Sequence, residues 1–198
     1  MNWRKFENDW KDFTSEFSLN AKQISNRFIN GQQDLYIAEE DYKGFKVCYR
    51  IKVNRSAFSS SYNAGNEIMI CSPISSKSNL SLTVVRSPLW KRLVGTSGEL
   101  KIDGQSSQTI DQATSTEIGE LIKSIPDAQL SIKKFERHSI DQIPFGQKVA
   151  LITSKHLPRG VNELKRLRET LTFVLLHMRD QKILWPAHNN EQTQLGLQ

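Results

Sequence analysis

The chain has 198 residues, of which 37% are hydrophobic and 24% charged, so it is long enough to bury the core of one domain. Its net charge of +6 is mildly basic, without the dense cation clusters of dedicated nucleic-acid binders. The two cysteines are too few for a disulfide framework, and no apolar run reaches the roughly 18 residues of a membrane-spanning helix. The charged N-terminal segment carries no apolar signal sequence. Together these features predict a cytoplasmic protein with reduced thiols.

Aromatic residues recur at spacings of three and four along the N-terminal segment, which is the period of a helix with one aromatic face. They are Trp3, Phe6, Trp10, Phe13 and Phe17. Two interpretations stay open: this face packs on the protein's own core, or the helix is detachable and inserts into a partner or lies on a membrane surface. Residues 18–33 fit either a continuation of the helix or a strand, and we assign the whole stretch 1–33 to an N-terminal helical region.

The clearest strand pattern is the segment GFKVCYRIKV, from Gly44 to Val53. Large apolar side chains alternate with polar ones over its whole length, which is the period of a strand with one buried face. The apolar set consists of Phe45, Val47, Tyr49, Ile51 and Val53. The other side carries cations and one cysteine, and we expect it to face solvent. Its members are Lys46, Cys48, Arg50 and Lys52.

Further segments with strand character fill the β-rich core at residues 34–154. We expect strands at Asp34–Glu40, Asn66–Cys71, Leu80–Arg86, Glu99–Asp103, Gln108–Gln112, Gln129–Arg137 and Lys148–Thr153. One helix is expected at Ser115–Ile125, with a cap at Ser115 or Thr116 and a stop at Pro126. Because long parallel crossovers are lacking, the pattern predicts a largely antiparallel sheet or a partly closed barrel. Both cysteines fall on expected strands, so they are candidates for neighbours in the sheet.

The most regular helix closes the domain over residues 160–183, with Asn162 as its expected cap. Its apolar stripe consists of Val161, Leu164, Leu167, Leu171, Val174, Leu175 and Met178. Residues 187–198 have no periodic pattern, and we expect them to form a disordered tail. The chain is therefore predicted to be a single α+β domain over residues 1–186, with helices at both ends.

The turn DYKGFKV at Asp41–Val47 and the segment NELKRL at Asn162–Leu167 carry a family resemblance. The order of elements over about residues 34–180 resembles a loose group of uncharacterised bacterial β-rich domains. Members share a strand of the pattern Y-x-G-R/F-x-V-x-V and a closing amphipathic helix, and many carry a Gly-Asp…Phe-Asp pair. The corresponding stretch here reads Asp103-Gly104…Ile110-Asp111. The resemblance implies the fold and no particular activity.

Two groups of residues are candidates for ligand binding. The first is the row of cations on the polar side of the central strand, extended by the next cation along the chain: Lys46, Arg50, Lys52 and Arg55. This row either meets phosphate or an acidic partner, or it only keeps the sheet surface soluble. The second group is Trp90, Lys91 and Arg92, because an aromatic ring beside cations is typical of sites where bases stack.

An enzymatic interpretation rests on Glu136, His138 and Asp141, which flank a strand end and would supply a base with its orienting group. The histidines and cysteines lack the spacing of metal ligands, and there is no phosphate loop, so neither metal nor cofactor is predicted. The sequence favours a non-enzymatic cytoplasmic binding or accessory module whose partner it does not name, a protein being one candidate. A nucleic-acid or anionic-surface binder is the alternative, and an enzyme is the third choice.

Overall fold

The computed structural model of the chain describes residues 3–28, 31–56, 65–76, 80–86, 100–103, 111–125, 127–136 and 143–187. These residues form three helices and nine strands. The helices are α1 (Trp3–Glu16), α2 (Gln112–Ser124) and α3 (Val161–Asp180). The strands are β1 (Asn20–Phe28), β2 (Gly31–Tyr42), β3 (Phe45–Ser56), β4 (Glu67–Ser76), β5 (Leu82–Arg86), β6 (Leu100–Asp103), β7 (Gln129–Lys134), β8 (Lys148–Ser154) and β9 (Leu184–Pro186). The predicted α+β class is confirmed.

The strands form one antiparallel sheet in the order β1-β2-β3-β4-β8-β7-β5-β6, and β9 pairs with the far end of β4. The sheet is open, because β1 and β6 lie at its two edges. The predicted antiparallel sheet is therefore confirmed, and the alternative of a partly closed barrel is not. Residues 108–110 of the strand expected at Gln108–Gln112 lie outside the described residues, and its other two residues belong to α2, which Asp111 caps and Gln112 begins.

One face of the sheet is covered by the helices. The apolar set of the central strand lies on this face and is fully buried. Phe6, Trp10 and Phe13 of α1 are buried against it, with the ring centre of Phe13 lying 5.6 Å from that of Tyr49. The ring of Phe6 meets Tyr36 of β2 edge-on, at 5.1 Å between centres. The aromatic face of α1 thus packs on the protein's own core, which decides between the two interpretations that the sequence left open.

The apolar stripe of α3 is buried as predicted. Val161 packs at its margin, and the remaining stripe residues are no more than 1% exposed. The expected cap is wrong, because the helix begins at Val161 after Gly160, and Asn162 already lies in the first turn. Instead, the carboxylate of Glu163 accepts a hydrogen bond from the backbone N–H of Arg159 at 2.8 Å.

A mostly buried ion pair joins α3 to β2. Nε and Nη2 of Arg168 donate to the two carboxylate oxygens of Glu40 at 2.9 and 2.8 Å, and the Tyr49 hydroxyl donates to the same carboxylate. The guanidinium lies 4.1 Å from the ring centre of Phe17 and 5.0 Å from that of Tyr42. Burial, reinforced by the hydrogen bond to Glu40, raises the pKa of Tyr49 above its ordinary range. Each charge of the pair is thus neutralised and hydrogen-bonded within the core.

The N-terminal region departs from the prediction after α1. The chain leaves the helix through Ser18, whose φ of 51° is left-handed, and residues predicted within a helical region form β1. All side chains from Asn20 to Arg27 are exposed, so no buried apolar face marks this strand in the sequence. Its pairing with β2 along its whole length makes it a strand.

β4 continues through Pro73, although the strand expected here was to end at Cys71. Proline lacks the N–H that a strand inside a sheet normally donates. On one side of β4 the pairing with β3 ends at Cys71, and the pairing with β9 begins at Ile74. On the other side Pro73 stands opposite Val149 of β8. The proline therefore falls where β4 changes partners.

α2 begins three residues earlier than predicted, because its cap is Asp111 and not Ser115 or Thr116. The Asp111 carboxylate accepts a hydrogen bond from the backbone N–H of Thr114 at 2.9 Å. It also lies 2.5 Å from Nε2 of His177 on α3. These contacts, the bond from Thr114 first, lower the pKa of Asp111 to about 2.

Candidate binding site on the open face of the sheet

The sheet face opposite the helices, called the open face below, carries the predicted row of cations. Lys46, Arg50 and Lys52 project from this side of β3, alternating with the buried residues of the helix face. Each of them is partly exposed. The orientation predicted from the period of two is confirmed, and the role of these residues in binding stays a prediction.

Carboxylates share the open face with these cations. Nζ of Lys46 lies 3.5 Å from Oε2 of Glu39 on β2. Lys52 stands directly opposite Glu67 of β4. The open face therefore has mixed charge, whereas a surface that attracts a polyanion presents a potential of one sign.

Arg55 does not belong to this row. It lies two residues after Val53 on the same strand, so it projects from the helix face. There its Nε lies 2.6 Å from Oδ2 of the fully buried Asp34. The guanidinium also contacts the carboxylate of Glu7 on α1 and donates to the Tyr36 hydroxyl at 3.1 Å. Arg55 thus holds α1 against the sheet, and the prediction that it extends the cation row is wrong.

A cavity of about 480 Å³ opens on the open face over β4, β7 and β8. This volume lies within the range of small-ligand sites. Three buried apolar side chains, Met69, Phe135 and Leu151, line it. Its other lining residues are polar or charged: Glu67, Asp127, Gln129, Ser131, Lys133, Glu136, Thr153, Ser154 and Lys155.

The rim of this cavity is braced by Asp127. Its carboxylate accepts hydrogen bonds from Ser154 Oγ and from the backbone N–H of Lys155, both at 2.7 Å, and lies 2.9 Å from Nδ1 of His156. Burial raises the pKa of Asp127, but the bonds from Ser154, His156 and Lys155 outweigh it and hold the pKa below its ordinary value. The carboxylate stands between serine and histidine, whereas a nucleophilic serine donates to the histidine. The arrangement therefore fixes the rim and does not activate Ser154.

The two cysteines lie beside the cavity. Cys48 of β3 stands directly opposite Cys71 of β4, so the expectation that they are neighbours is confirmed. Both are buried, and they pack with Met69 and Leu151 in a small apolar cluster on the open face. The hydrogen bond between the thiols lowers the pKa of Cys48 and raises that of Cys71. This part of the open face is covered, contrary to the expectation that the whole side of Cys48 faces solvent.

Of the remaining predicted site residues, the structure describes Glu136 alone. Trp90, Lys91 and Arg92 lie outside the described residues, and so do His138 and Asp141. Glu136, the third member of the enzymatic interpretation, lies at the cavity. The other lining residues were not singled out from the sequence. The alternation of polar and apolar residues in QLSIKK of β7 could have pointed to the lining residues of that strand. The sequence does not show, however, that β4, β8 and β7 lie side by side.

Comparison with known protein families, with curated proteins and with solved structures gave no match. Within the described residues, no group of three or more histidine, cysteine, aspartate and glutamate side chains is placed to hold a metal ion. None of the helices in that part of the chain combines the length and apolar character needed to span a membrane.

Proposed function

We propose that the protein is a non-enzymatic binding module that holds a polypeptide partner on the open face of its sheet. The observation that carries the proposal is the cavity of about 480 Å³ over β4, β7 and β8. Its apolar lining suits one large side chain of the partner, while its polar rim suits the backbone and the flanking residues. With its free thiols, the module belongs in a reducing compartment, and we assign it to the cytoplasm.

The charges around the cavity support a polypeptide more than a polyanion. Glu67 and Glu136 line it together with Lys133 and Lys155, so both signs of charge are present. A polypeptide offers donors, acceptors and both charges to such a rim, whereas a nucleic acid offers one sign along its backbone.

Several polar groups of the cavity are already hydrogen-bonded to one another, which supports binding over catalysis. The Asp127 carboxylate is committed to Ser154, Lys155 and His156, as described above. Gln129 donates to the Ser131 hydroxyl at 3.1 Å. Groups already held by one another keep a rigid shape, and rigidity favours the recognition of a partner.

One observation favours the alternative of an anionic partner. Lys46, Arg50 and Lys52 point the same way from β3, with about 7 Å between successive members of a strand face. If these cations acted together, binding would weaken as salt is added. The alternative and the main proposal use different strands of the same face, so one experiment separates them.

We would record amide chemical shifts of the full chain during titration with two probes at low salt. The first is a pool of short blocked peptides, each with a central phenylalanine or leucine between lysine and glutamate. The second is a single-stranded oligothymidylate. We expect the peptides to shift amides of β4, β7 and β8 saturably. Salt-sensitive shifts centred on β3 with oligothymidylate alone would favour the alternative.

The matched variants are Thr153→Phe and Gln33→Phe. Thr153 lines the cavity, and Gln33 lies on the same face in β2, where it is also partly exposed. Filling the cavity should abolish the peptide-induced shifts, and the control should retain them. The proposal fails if the peptides cause no shifts, or if the two variants respond alike.

A further inference from the structure

The two edges of the sheet differ in length. β6 ends the sheet with four residues, and β1 ends it with nine. No described strand pairs with the outer side of β1, so a full row of backbone donors and acceptors faces away from the sheet. A long edge of this kind is a template for another strand, and natural proteins usually shorten or block it.

β1 carries few of the usual devices that block an edge. Its sequence NAKQISNRF contains no proline, and among its residues only Lys22 and Arg27 carry charge. Ile24 lies at its middle and is 42% exposed on the open face, next to Leu35 of β2. The strand is also well fixed, since Ser25 Oγ donates to the buried Asp34 at 2.6 Å. An ordered, exposed edge with an apolar centre loses little conformational freedom when it pairs with another strand.

We propose that β1 pairs antiparallel with β1 of a second copy of this chain, about a two-fold axis at Ile24. Directly opposite residues in an antiparallel pair lie on the same face of the sheet. Two identical strands satisfy this only when the axis passes through a residue, because an axis between residues would place the open face of one copy against the helix face of the other. An axis at Ile24 pairs all nine residues of the strand.

The charges of β1 are compatible with this register. Lys22 of one copy stands opposite Asn26 of the other, and Arg27 stands opposite Ala21. No like charges meet, and the two Ile24 side chains meet each other on the open face. An axis at Ser25 would instead place Ile24 opposite Asn26 and leave residues of both strands unpaired. Self-complementary pairing of one patch is the ordinary geometry of a two-fold dimer.

The test is sedimentation equilibrium of the full chain over a range of concentrations. We expect the wild type to approach twice the 22.7 kDa mass of one chain. Ile24→Lys should sediment as a monomer, because it places two lysines face to face beside Lys22 of each copy. An equimolar mixture of Ile24→Lys and Ile24→Glu should associate more strongly than either variant alone, since opposite charges then meet across the axis.

The matched control is Phe145→Lys, because Phe145 is an exposed large apolar residue, at 65%, in a turn outside β1. This variant should remain a dimer. The inference is overturned if the wild type is monomeric at every concentration, if Ile24→Lys still dimerises, or if Phe145→Lys abolishes the dimer. It is also overturned if mixing the two Ile24 variants restores nothing. None of these results bears on the cavity, which begins at β4, three strands along the sheet from β1.

Discussion

On the helix side of β3, Tyr49, Ile51 and Val53 are fully buried, whereas Arg50 and Lys52 between them stay partly exposed on the open face. The same strand therefore contributes to a closed core and to an accessible surface. The alternation assigns each residue to a face, but it does not say which parts of a face are covered. On the open face, the cluster around Cys48 and the neighbouring cavity depend on which strands are adjacent.

The ion pairs of the two faces differ in the same way. On the helix face Glu40 is 9% exposed and accepts hydrogen bonds from Nε and Nη2 of Arg168. The rings of Phe17 and Tyr42 lie against the guanidinium. On the open face Lys46 is 41% exposed and lies 3.5 Å from Glu39. A buried, bidentate pair holds one arrangement, while a solvated pair exchanges partners easily. The pair on the helix face therefore stabilises the fold, whereas the exchangeable pair on the open face fits the proposed binding role.

The largest expected effect breaks the buried pair of the helix face. Arg168→Ala should lower the free energy of unfolding by about 3–5 kcal/mol, because Glu40 is left without its partner inside the core. Chemical denaturation measures the change. The double variant Arg168→Met with Glu40→Gln should recover a large part of the loss, and a double variant as unstable as the single one would contradict this explanation.

The next effect concerns packing on the two faces. Leu171→Ala on α3 should lower the free energy of unfolding by about 2–5 kcal/mol, since Leu171 is fully buried. Leu35→Ala, on the open face of β2, should have a clearly smaller effect because this side chain is partly exposed. Equal losses in the two variants would remove the contrast between the faces.

The cations of β3 allow the two faces to be compared on a single strand, because Arg55 lies on the helix face and the others on the open face. Changing Lys46, Arg50 and Lys52 together to glutamine should alter the free energy of unfolding by less than about 1 kcal/mol, because they lie on the open face. Arg55→Gln should lower it by about 3 kcal/mol, since Asp34 would remain buried without its cation. Thermal and chemical unfolding of the two variants decide this, and a greater loss in the triple variant would show that the cation row is structural.

The smallest effect concerns the cap of α2. Asp111→Ala should lower the melting temperature at neutral pH, because it removes the acceptor of Thr114. The pKa of Asp111 is lowered from 3.8 to about 2, so its charge stabilises the fold above pH 3.8, and this contribution is lost as the pH falls towards 2. Melting curves over this range should converge for variant and wild type. A constant difference would show that the charge does not matter.

Much of the fold was predictable because strong periodicity marks long elements. The alternation of Phe45–Val53 and the stripe of α3 identify two buried faces without further information. β1 was not predictable in this way, because its side chains are exposed and its strand conformation depends on β2. Pro73 misled the interpretation of β4, because a change of partner strands leaves no local trace.

The site was less predictable than the fold. The sequence alone could have placed Arg55 on the same face as Val53, because the two residues are two positions apart on one strand. Its partner Asp34 is known only from the pairing of β2 and β3. The cavity needs β4, β8 and β7 side by side, and Cys71 stands opposite Leu151, eighty residues later in the chain. Contacts at such distances in sequence carry no signal in one sequence.

The place of β8 between β4 and β7 has a consequence for synthesis on the ribosome. β4 is complete when Ser76 emerges, but its second edge has no partner until β8 is made, from Lys148 to Ser154. The apolar side of β4 must also wait for α3, which is made later still. During this interval the nascent chain exposes an unpaired edge and an uncovered apolar surface, both of which favour aggregation. Translation that stops before α3 therefore leaves the apolar side of β4 without its helix, and we expect such a chain to aggregate more readily than the full chain.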